Sequence, residues 1–196
     1  MAVSARRGTP LSIDEISAAA LRLVDAGGVE ALSMRKLAAE LAVNPMSLYH
    51  HVESKEALLE LICATATRRM SLPPDDGRPW QEQLRALAFA YHRHAREHPA
   101  LWIYLHGHPR IVADRQLSLW QVLERILRLA GVPEDELRRT SDVLYAFVSG
   151  IILSELQGHL PDDPEETGRS LNTAVELIVR GLEGGAAGGA AGGAGG

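Results

Sequence analysis

The chain has 196 residues, of which 46% are hydrophobic, and a formal net charge of −5 at pH 7. This length is enough for one large or two small domains with a sizeable core. The single cysteine, Cys63, excludes an internal disulfide, and we expect a cytoplasmic protein because the sequence begins with no signal peptide and contains no apolar run as long as a membrane span.

Charge and residue pattern limit the class of protein further. Residues 1–70 carry eight basic and eight acidic side chains, so the acidic excess lies entirely in the rest of the chain. Net charge therefore does not indicate nucleic-acid binding, and the evidence for it must come from the positions of individual Lys and Arg residues. Strand-forming residues do not cluster in alternating runs, and the sequence predicts an all-α protein.

The chain is predicted to begin with a flexible basic arm over residues 1–10. Arg6 and Arg7 suit contacts with phosphates or with the minor groove, and a solvated tail without a role explains them equally well. Ser12 and Glu15 have the spacing of a capping box and predict the start of the first helix. The Gly-Gly pair after Ala26 predicts its end, because one of the two glycines can adopt a positive φ.

A helix-turn-helix pattern follows. Ser33 is a cap for a second helix, and Ala42-Val43 form the predicted turn. Asn44 and Pro45 then suit the cap and first position of a short third helix. Many such turns place glycine in the left-handed region, where alanine costs about 1 kcal/mol or more.

The third helix is predicted to have an inner and an outer face. Leu48 and Val52 lie one turn apart and point inward, which leaves an aromatic and histidine face outward. Such a helix fits the major groove. Arg35 is the best base or phosphate donor, and Met46 suits a thymine methyl group. The candidate DNA-binding residues are Arg35, Lys36, Asn44, Pro45, Met46, Ser47, Tyr49, His50, His51 and Lys55. A three-helix bundle without a DNA role is the plain alternative.

The segment Leu11 to Ile62 resembles the N-terminal domain of TetR-family transcriptional repressors without a gap. The most specific runs are SMRKLA, VNPMSLYHHV and SKEALL. The resemblance implies a helix-turn-helix domain over residues 11–71. It also implies that the fourth helix, which Ser54 caps and which should run to about Met70, links the DNA-binding head to a regulatory domain.

The region after the Pro-Pro-Asp-Asp-Gly boundary is predicted to be a ligand-binding and dimerisation domain over residues 78–183. RPWQEQLRALAFAYHRHAREHPALWIYL resembles the regulatory domain of the tetracycline-repressor branch. By that resemblance the ligand-binding residues are Leu87, Tyr91, Trp102, His106 and Trp120. The tetracycline repressor holds a magnesium–drug complex with a histidine and a carboxylate. His106 lies near the first position, but Ser154 or Glu155 falls near the second, which puts tetracycline recognition in doubt.

The last part of the chain is predicted to be helical and to form a dimer interface. Helices are expected from about Ile111 to Ala130, from Pro133 to Gln157 and over Leu171–Leu182. Two apolar helices per subunit would build a four-helix interface about a two-fold axis. The interface residues are Phe147, Val148, Ile151, Ile152, Val175, Ile178 and Leu182. The alternative is an ordinary monomeric core. Residues 184–196 are predicted to be a flexible Gly/Ala tail.

Together with the resemblance to TetR-family repressors, these patterns predict a homodimeric, DNA-binding transcriptional repressor that binds a palindromic operator and is released by a small, mostly hydrophobic effector. No cofactor is predicted, and no nucleophile or phosphate loop indicates an enzyme. Two alternatives remain. One is an architectural DNA-binding protein without an effector. The other is a metal-dependent sensor or enzyme that uses His94, His98, His106 and His108.

Overall fold

The computed structural model describes residues 11–108, 118–160 and 163–191. Within those ranges the backbone forms helices, turns and loops without a strand, which confirms the predicted all-α fold. A short 3-10 helix spans Val29–Ala31. The α-helices are α1 Ile13–Gly27, α2 Met34–Glu40, α3 Pro45–Tyr49, α4 Lys55–Arg68, α5 Trp80–Glu97, α6 Pro99–His106, α7 Ser118–Leu129, α8 Leu137–Leu156 and α9 Pro164–Ala191.

Local capping explains where the early helices begin. The Ser12 hydroxyl accepts a hydrogen bond from the Glu15 amide, and the Glu15 carboxylate accepts one from the Ser12 amide, so the predicted capping box is confirmed. The Ser33 and Ser54 hydroxyls cap α2 and α4 by accepting the Lys36 and Ala57 amides, as predicted. Gly28 ends α1 with a φ of 76°, a conformation that glycine adopts without steric cost.

The chain divides into two compact units. In its described part, the first unit contains α1 to α4 and α6. Its core includes Ile16, Val24, Leu37, Leu48 and Ile62, each of which is buried. Helix α1 contacts α2, α4 and α6, and α6 also contacts the 3-10 helix. These contacts group α6 with the head although it follows α5 in the chain, and the continuous domain over residues 78–183 stays a prediction.

The second unit contains α5, α7, α8 and α9. Helix α5 contacts the other three helices, and α8 contacts both α7 and α9. The second unit begins with the proline-rich boundary segment, which hydrogen-bonds to Arg125 of α7. The Arg125 guanidinium donates hydrogen bonds to the Pro73 carbonyl at 3.1 Å and to the Gln83 side chain at 2.9 Å. The boundary segment is therefore tied to α5 and α7 by one partly buried hydrogen-bond network.

Helix α9 is longer than the sequence suggested. It runs to Ala191, which corrects the prediction of a flexible tail beginning at residue 184. Alanine has the highest helix propensity and the segment contains no proline, so the helix can continue despite the unfavourable glycines. The predicted N-terminal arm at residues 1–10, the start of the predicted helix at Ile111 and residues 192–196 lie outside the described residues. None of the described helices has the length and hydrophobicity needed to cross a bilayer.

Candidate DNA-binding surface and ligand cavity

A tight turn joins α2 to α3. Ala42 has a φ of 55°, so it lies in the left-handed region. The Val43 amide donates to the Ala38 carbonyl at 3.0 Å and the Ala42 amide donates to the Ala39 carbonyl at 3.2 Å. This pair of bonds is a Schellman motif, in which glycine is the usual residue at the left-handed position. The alanine therefore strains the turn that sets the angle between the two helices.

Replacing Ala42 with glycine should stabilise the protein. A left-handed non-glycine residue costs about 1–2 kcal/mol, and glycine loses about 0.4–1 kcal/mol through the greater freedom of the unfolded chain. We expect a net gain of about 0.5–1 kcal/mol, measured by thermal or urea unfolding. Ala39→Gly, three residues earlier on the exposed side of α2, is the matched control and should destabilise by about 1 kcal/mol. Equal losses for the two variants would show that residue 42 is not left-handed.

Helix α3 has one buried and one exposed face. Leu48 is fully buried and Val52, just beyond the helix, is nearly so, as the spacing predicted. Met46 is 65% exposed and Tyr49 is 47% exposed. Asn44 caps the helix, because its side-chain oxygen accepts the Met46 amide at 2.9 Å, and Pro45 occupies the first turn. The inner residues thus fix α3 to the head, and the outer residues face solvent.

All ten sequence-predicted DNA-binding residues lie in the first unit. Arg35 and Lys36 are exposed on α2, and the described residues include no ion pair for either side chain. His50 and His51 are exposed just after α3, and Ser47 is partly exposed within it. Within the described ranges, the side chains of two of the ten take part in a hydrogen bond or an ion pair. Asn44 serves as the cap, and the Lys55 ammonium lies 3.8 Å from the Glu30 carboxylate.

The second unit contains a cavity between α5, α7, α8 and α9. Its total volume is about 450 Å³, including the part that opens to solvent. The wall is almost entirely carbon, and the lining residues are Leu84, Leu87, Ala88, Tyr91, Leu119, Leu123, Leu144, Tyr145, Val148, Val175 and Ile178. An apolar cavity enclosed by helices is a usual form of small-molecule site.

The polar groups of the cavity wall are paired and uncharged. The Tyr91 hydroxyl is 2.8 Å from the Ser149 hydroxyl, and its ring meets the Tyr145 ring edge to face at 5.7 Å. Burial, with a smaller effect of neighbouring Tyr145, raises the pKa of Tyr91 well above its ordinary value. Burial also raises the pKa of Tyr145. Both phenols stay neutral, so the cavity wall favours an uncharged ligand.

The structure brings together only part of the predicted ligand-binding set. Leu87 and Tyr91 line the cavity. Trp120 is buried behind it, and its ring lies 4.9 Å from the ring of the lining residue Tyr145. Trp102 and His106 belong to the first unit and are not among the residues that line this cavity, so their role in ligand binding stays a prediction. Both lie on α6, which packs on α1 and the 3-10 helix.

Glu155 does not take part in the cavity. Its buried carboxylate accepts hydrogen bonds from Arg96 and, at 2.7 Å, pairs with His92 Nε2. These contacts tie α8 to α5. The carboxylate that the resemblance aligned with a magnesium–drug site is therefore engaged by two side chains of its own unit, which weakens the case for tetracycline recognition further.

The predicted dimer residues divide into two groups. Val148, Ile152, Val175 and Ile178 are buried within the second unit, which corrects their assignment to a subunit interface. They are core residues because α5 contacts both α8 and α9, and α7 contacts α8. Phe147 remains 44% exposed, and Ile151 and Leu182 are partly exposed.

An apolar outer face remains on α8 and α9. Val143 is 61% exposed one turn before Phe147 on α8, and Leu177 is 57% exposed on α9. Large apolar side chains exposed together on adjacent helices are typical of a protein–protein contact. The sequence pattern did not assign Val143 and Leu177 to the interface, although Val143 lies four residues before the predicted interface position Phe147.

The histidines considered for a metal site have other contacts. In the first unit, His98 Nδ1 lies 3.0 Å from the Asp25 carboxylate, and His106 and His108 hydrogen-bond to the Trp102 and Tyr104 carbonyls. His94, in the second unit, is buried.

Burial raises the pKa of the Cys63 thiol to about 12, so this cysteine stays protonated and is a poor nucleophile.

Most cavity-wall residues were missed by the sequence reasoning, but a signal for them exists. Leu84, Leu87, Ala88 and Tyr91 recur at the spacing of one helix face on α5. Leu119 and Leu123 do the same on α7. That periodicity marks an inward face. It does not tell whether the face meets tightly packed side chains or a cavity, since that depends on the neighbouring helices.

Comparison with known proteins gives matches to both units. Residues 16–62 match the sequence family described as bacterial regulatory proteins, tetR family. Residues 84–178 match the family described as tetracyclin repressor-like, C-terminal domain. A curated relative, the HTH-type transcriptional repressor DrrR1 of Streptomyces coeruleorubidus, is 33% identical over 147 residues. That alignment covers 74% of this chain and 54% of the repressor, so the chain spans about half the length of that relative.

Solved structures match over nearly the whole chain. The TetR family protein ActR of Streptomyces coelicolor, in complex with actinorhodin, is 26% identical with a TM-score of 0.73. The match covers 91% of this chain and 98% of ActR. BioQ of Mycobacterium smegmatis, solved with its double-stranded DNA operator, is 25% identical with a TM-score of 0.71 and coverage of 89% and 99%. One of these proteins is thus seen with a small molecule and the other with DNA.

Proposed function

Because the chain belongs to the TetR family of bacterial regulatory proteins, we propose that it is a cytoplasmic transcriptional repressor that binds a palindromic DNA operator as a homodimer. A small, mostly hydrophobic molecule in the cavity of the second unit releases it from the operator. The chain is a binding protein and not an enzyme. The relatives support this proposal, since DrrR1 is a repressor, BioQ is seen on an operator and ActR is seen with actinorhodin.

The observation that carries the DNA-binding role is the outer face of α3. Met46 and Tyr49 are exposed on a helix that Leu48 and Val52 fix to the head, so the exposed side chains are presented on a rigid base. Exposed Arg35 and Lys36 on α2 add positive charge beside that face. This combination of an apolar and aromatic ridge with flanking cations suits a helix that enters the major groove while neighbouring side chains contact phosphates.

The observation that supports an effector is the cavity. Its almost entirely apolar wall favours binding of an apolar molecule. Ligand binding releases the repressor only if the ligand binds the released conformation more tightly than the DNA-bound one. A difference of about 1–3 kcal/mol is typical of such coupling between sites. The same cavity argues against an effector-independent architectural protein.

Replacing Tyr49 with alanine should weaken operator binding without unfolding the head. A lost hydrogen bond costs about 0.5–1.5 kcal/mol, and a dimer loses two, so the dissociation constant should rise roughly 5- to 150-fold. The measurement is titration of the purified protein into a duplex enriched from random DNA, with the melting temperature recorded in parallel.

The adjacent substitution Leu48→Ala is the matched control for Tyr49→Ala. Leu48 is fully buried, so its truncation should cost about 2–5 kcal/mol of stability. The two variants should therefore give different results, because Tyr49→Ala lowers DNA affinity and Leu48→Ala lowers the melting temperature. A Tyr49→Ala protein that binds the duplex with unchanged affinity would contradict the assignment of this face to DNA.

A further inference from the structure

An ion pair lies at the edge of the proposed DNA-binding face. Lys55 is the first residue of α4, and its ammonium nitrogen is 3.8 Å from a carboxylate oxygen of Glu30. Glu30 lies in the 3-10 helix that follows α1. The Glu30 side chain is 97% exposed and the Lys55 side chain is 31% exposed. The pair is therefore at the surface, with the carboxylate almost fully in solvent.

The geometry makes this pair easy to separate. A separation of 3.8 Å is longer than a hydrogen bond between charged groups, so the contact is electrostatic only. An exposed ion pair of this kind changes an equilibrium constant by at most about fivefold. A DNA phosphate offers Lys55 a second anion, and forming that contact also releases counterions from the duplex. Lys55 can thus exchange the carboxylate for a phosphate at small cost.

The other exposed cations of this face differ from Lys55. Among the described residues, no ion pair involves Arg35 or Lys36. Arg22 on α1 pairs with Glu40 at the end of α2, at 3.2 Å, but Arg22 is not one of the predicted DNA-contact residues. Lys55 is therefore the predicted DNA-contact cation for which the described part of the chain provides a competing anion.

We infer that Glu30 sets the affinity of the protein for DNA by competing with a phosphate for Lys55. The inference rests on the proposed DNA-binding function and adds a residue that opposes it. In the free protein Glu30 holds Lys55, and in the complex the lysine exchanges the carboxylate for the DNA backbone. Because a phosphate contact carries no sequence information, Glu30 lowers affinity for all duplexes by a similar factor.

A double-mutant cycle on the full-length protein tests this inference. The four proteins are the wild type, Glu30→Gln, Lys55→Ala and the double variant, each titrated with one duplex enriched from random DNA. Glu30→Gln should tighten binding about 2- to 30-fold, because a dimer removes two competing pairs worth up to about fivefold each. In the Lys55→Ala background the same substitution should have little effect. Melting temperatures confirm that all four proteins are folded.

A second cycle with Glu53→Gln separates local competition from general charge. Glu53 is an exposed acid two residues before Lys55, and no ion pair joins it to Lys55 in the described residues. Glu53→Gln should change duplex affinity by the same factor in the wild-type and the Lys55→Ala backgrounds. Equal effects of Glu30→Gln in the two backgrounds, or weaker binding by that variant, would overturn the inference while leaving the proposed function intact. Absence of duplex binding by the wild type would overturn both.

Discussion

Replacing Phe147 with aspartate should convert the proposed homodimer into folded monomers. Phe147 is 44% exposed on α8 and lies one turn from the more exposed Val143, so a charged side chain at this position can reach solvent in a folded monomer. At a dimer interface each aspartate would be buried without a partner, which costs several kcal/mol. The two-fold axis applies the change twice, and a total of about 6 kcal/mol raises the dimer dissociation constant roughly 10⁴-fold.

The matched control for Phe147→Asp is Phe89→Asp. Phe89 is 38% exposed on α5, outside the predicted interface, so this variant should remain a dimer. Sedimentation or light scattering gives the mass, and circular dichroism confirms the helical fold. Operator affinity should fall with dimerisation, because each monomer contacts only half of a palindrome. A folded Phe147→Asp dimer would show that the outer face of α8 is not the interface.

Replacing Glu155 with glutamine should destabilise the second unit strongly. The Glu155 side chain is only 2% exposed and is contacted by His92 and Arg96 of α5. Breaking a buried ion pair by removing one charge costs about 3–5 kcal/mol, and we expect the lower part of that range because Arg96 is 38% exposed and can be hydrated. For a protein of this size, 3 kcal/mol corresponds to a fall of about 6–12 °C in melting temperature.

Glu176→Gln is the matched control for the buried carboxylate. Glu176 on α9 also pairs with an arginine of α5, Arg85, at 2.7 Å, but both side chains are about one-third exposed. Exposed pairs contribute about 0–1 kcal/mol, so this variant should melt close to the wild type. If the two variants lost equal stability, burial of Glu155 would not be the cause.

The features that the sequence predicted best are those that depend on residues close together in the chain. Ser12, Ser33, Asn44 and Ser54 cap their helices within two or three residues, so the helix starts could be identified from spacing alone. The buried positions of Leu48 and Val52 also followed from one turn of helical periodicity.

The features that could not be predicted depend on which helices meet in space. Trp102 and His106 follow α5 in the chain, yet α6 belongs with the head. On α8, Val148 and Ile152 are buried within their own unit, whereas Phe147 is exposed. An apolar run long enough to cover more than one helix face does not indicate which face meets a neighbour in the same chain and which meets a partner.

Selection of bound duplexes from a pool of random DNA tests the proposed function most directly. We expect enrichment of an inverted repeat whose half-sites are centred about one helical turn, or a multiple of it, apart. The selected duplex should bind two protomers, and its affinity should fall steeply with salt because several phosphates are neutralised by each head. Failure to enrich any motif, or an affinity that does not change with salt, would contradict the proposal.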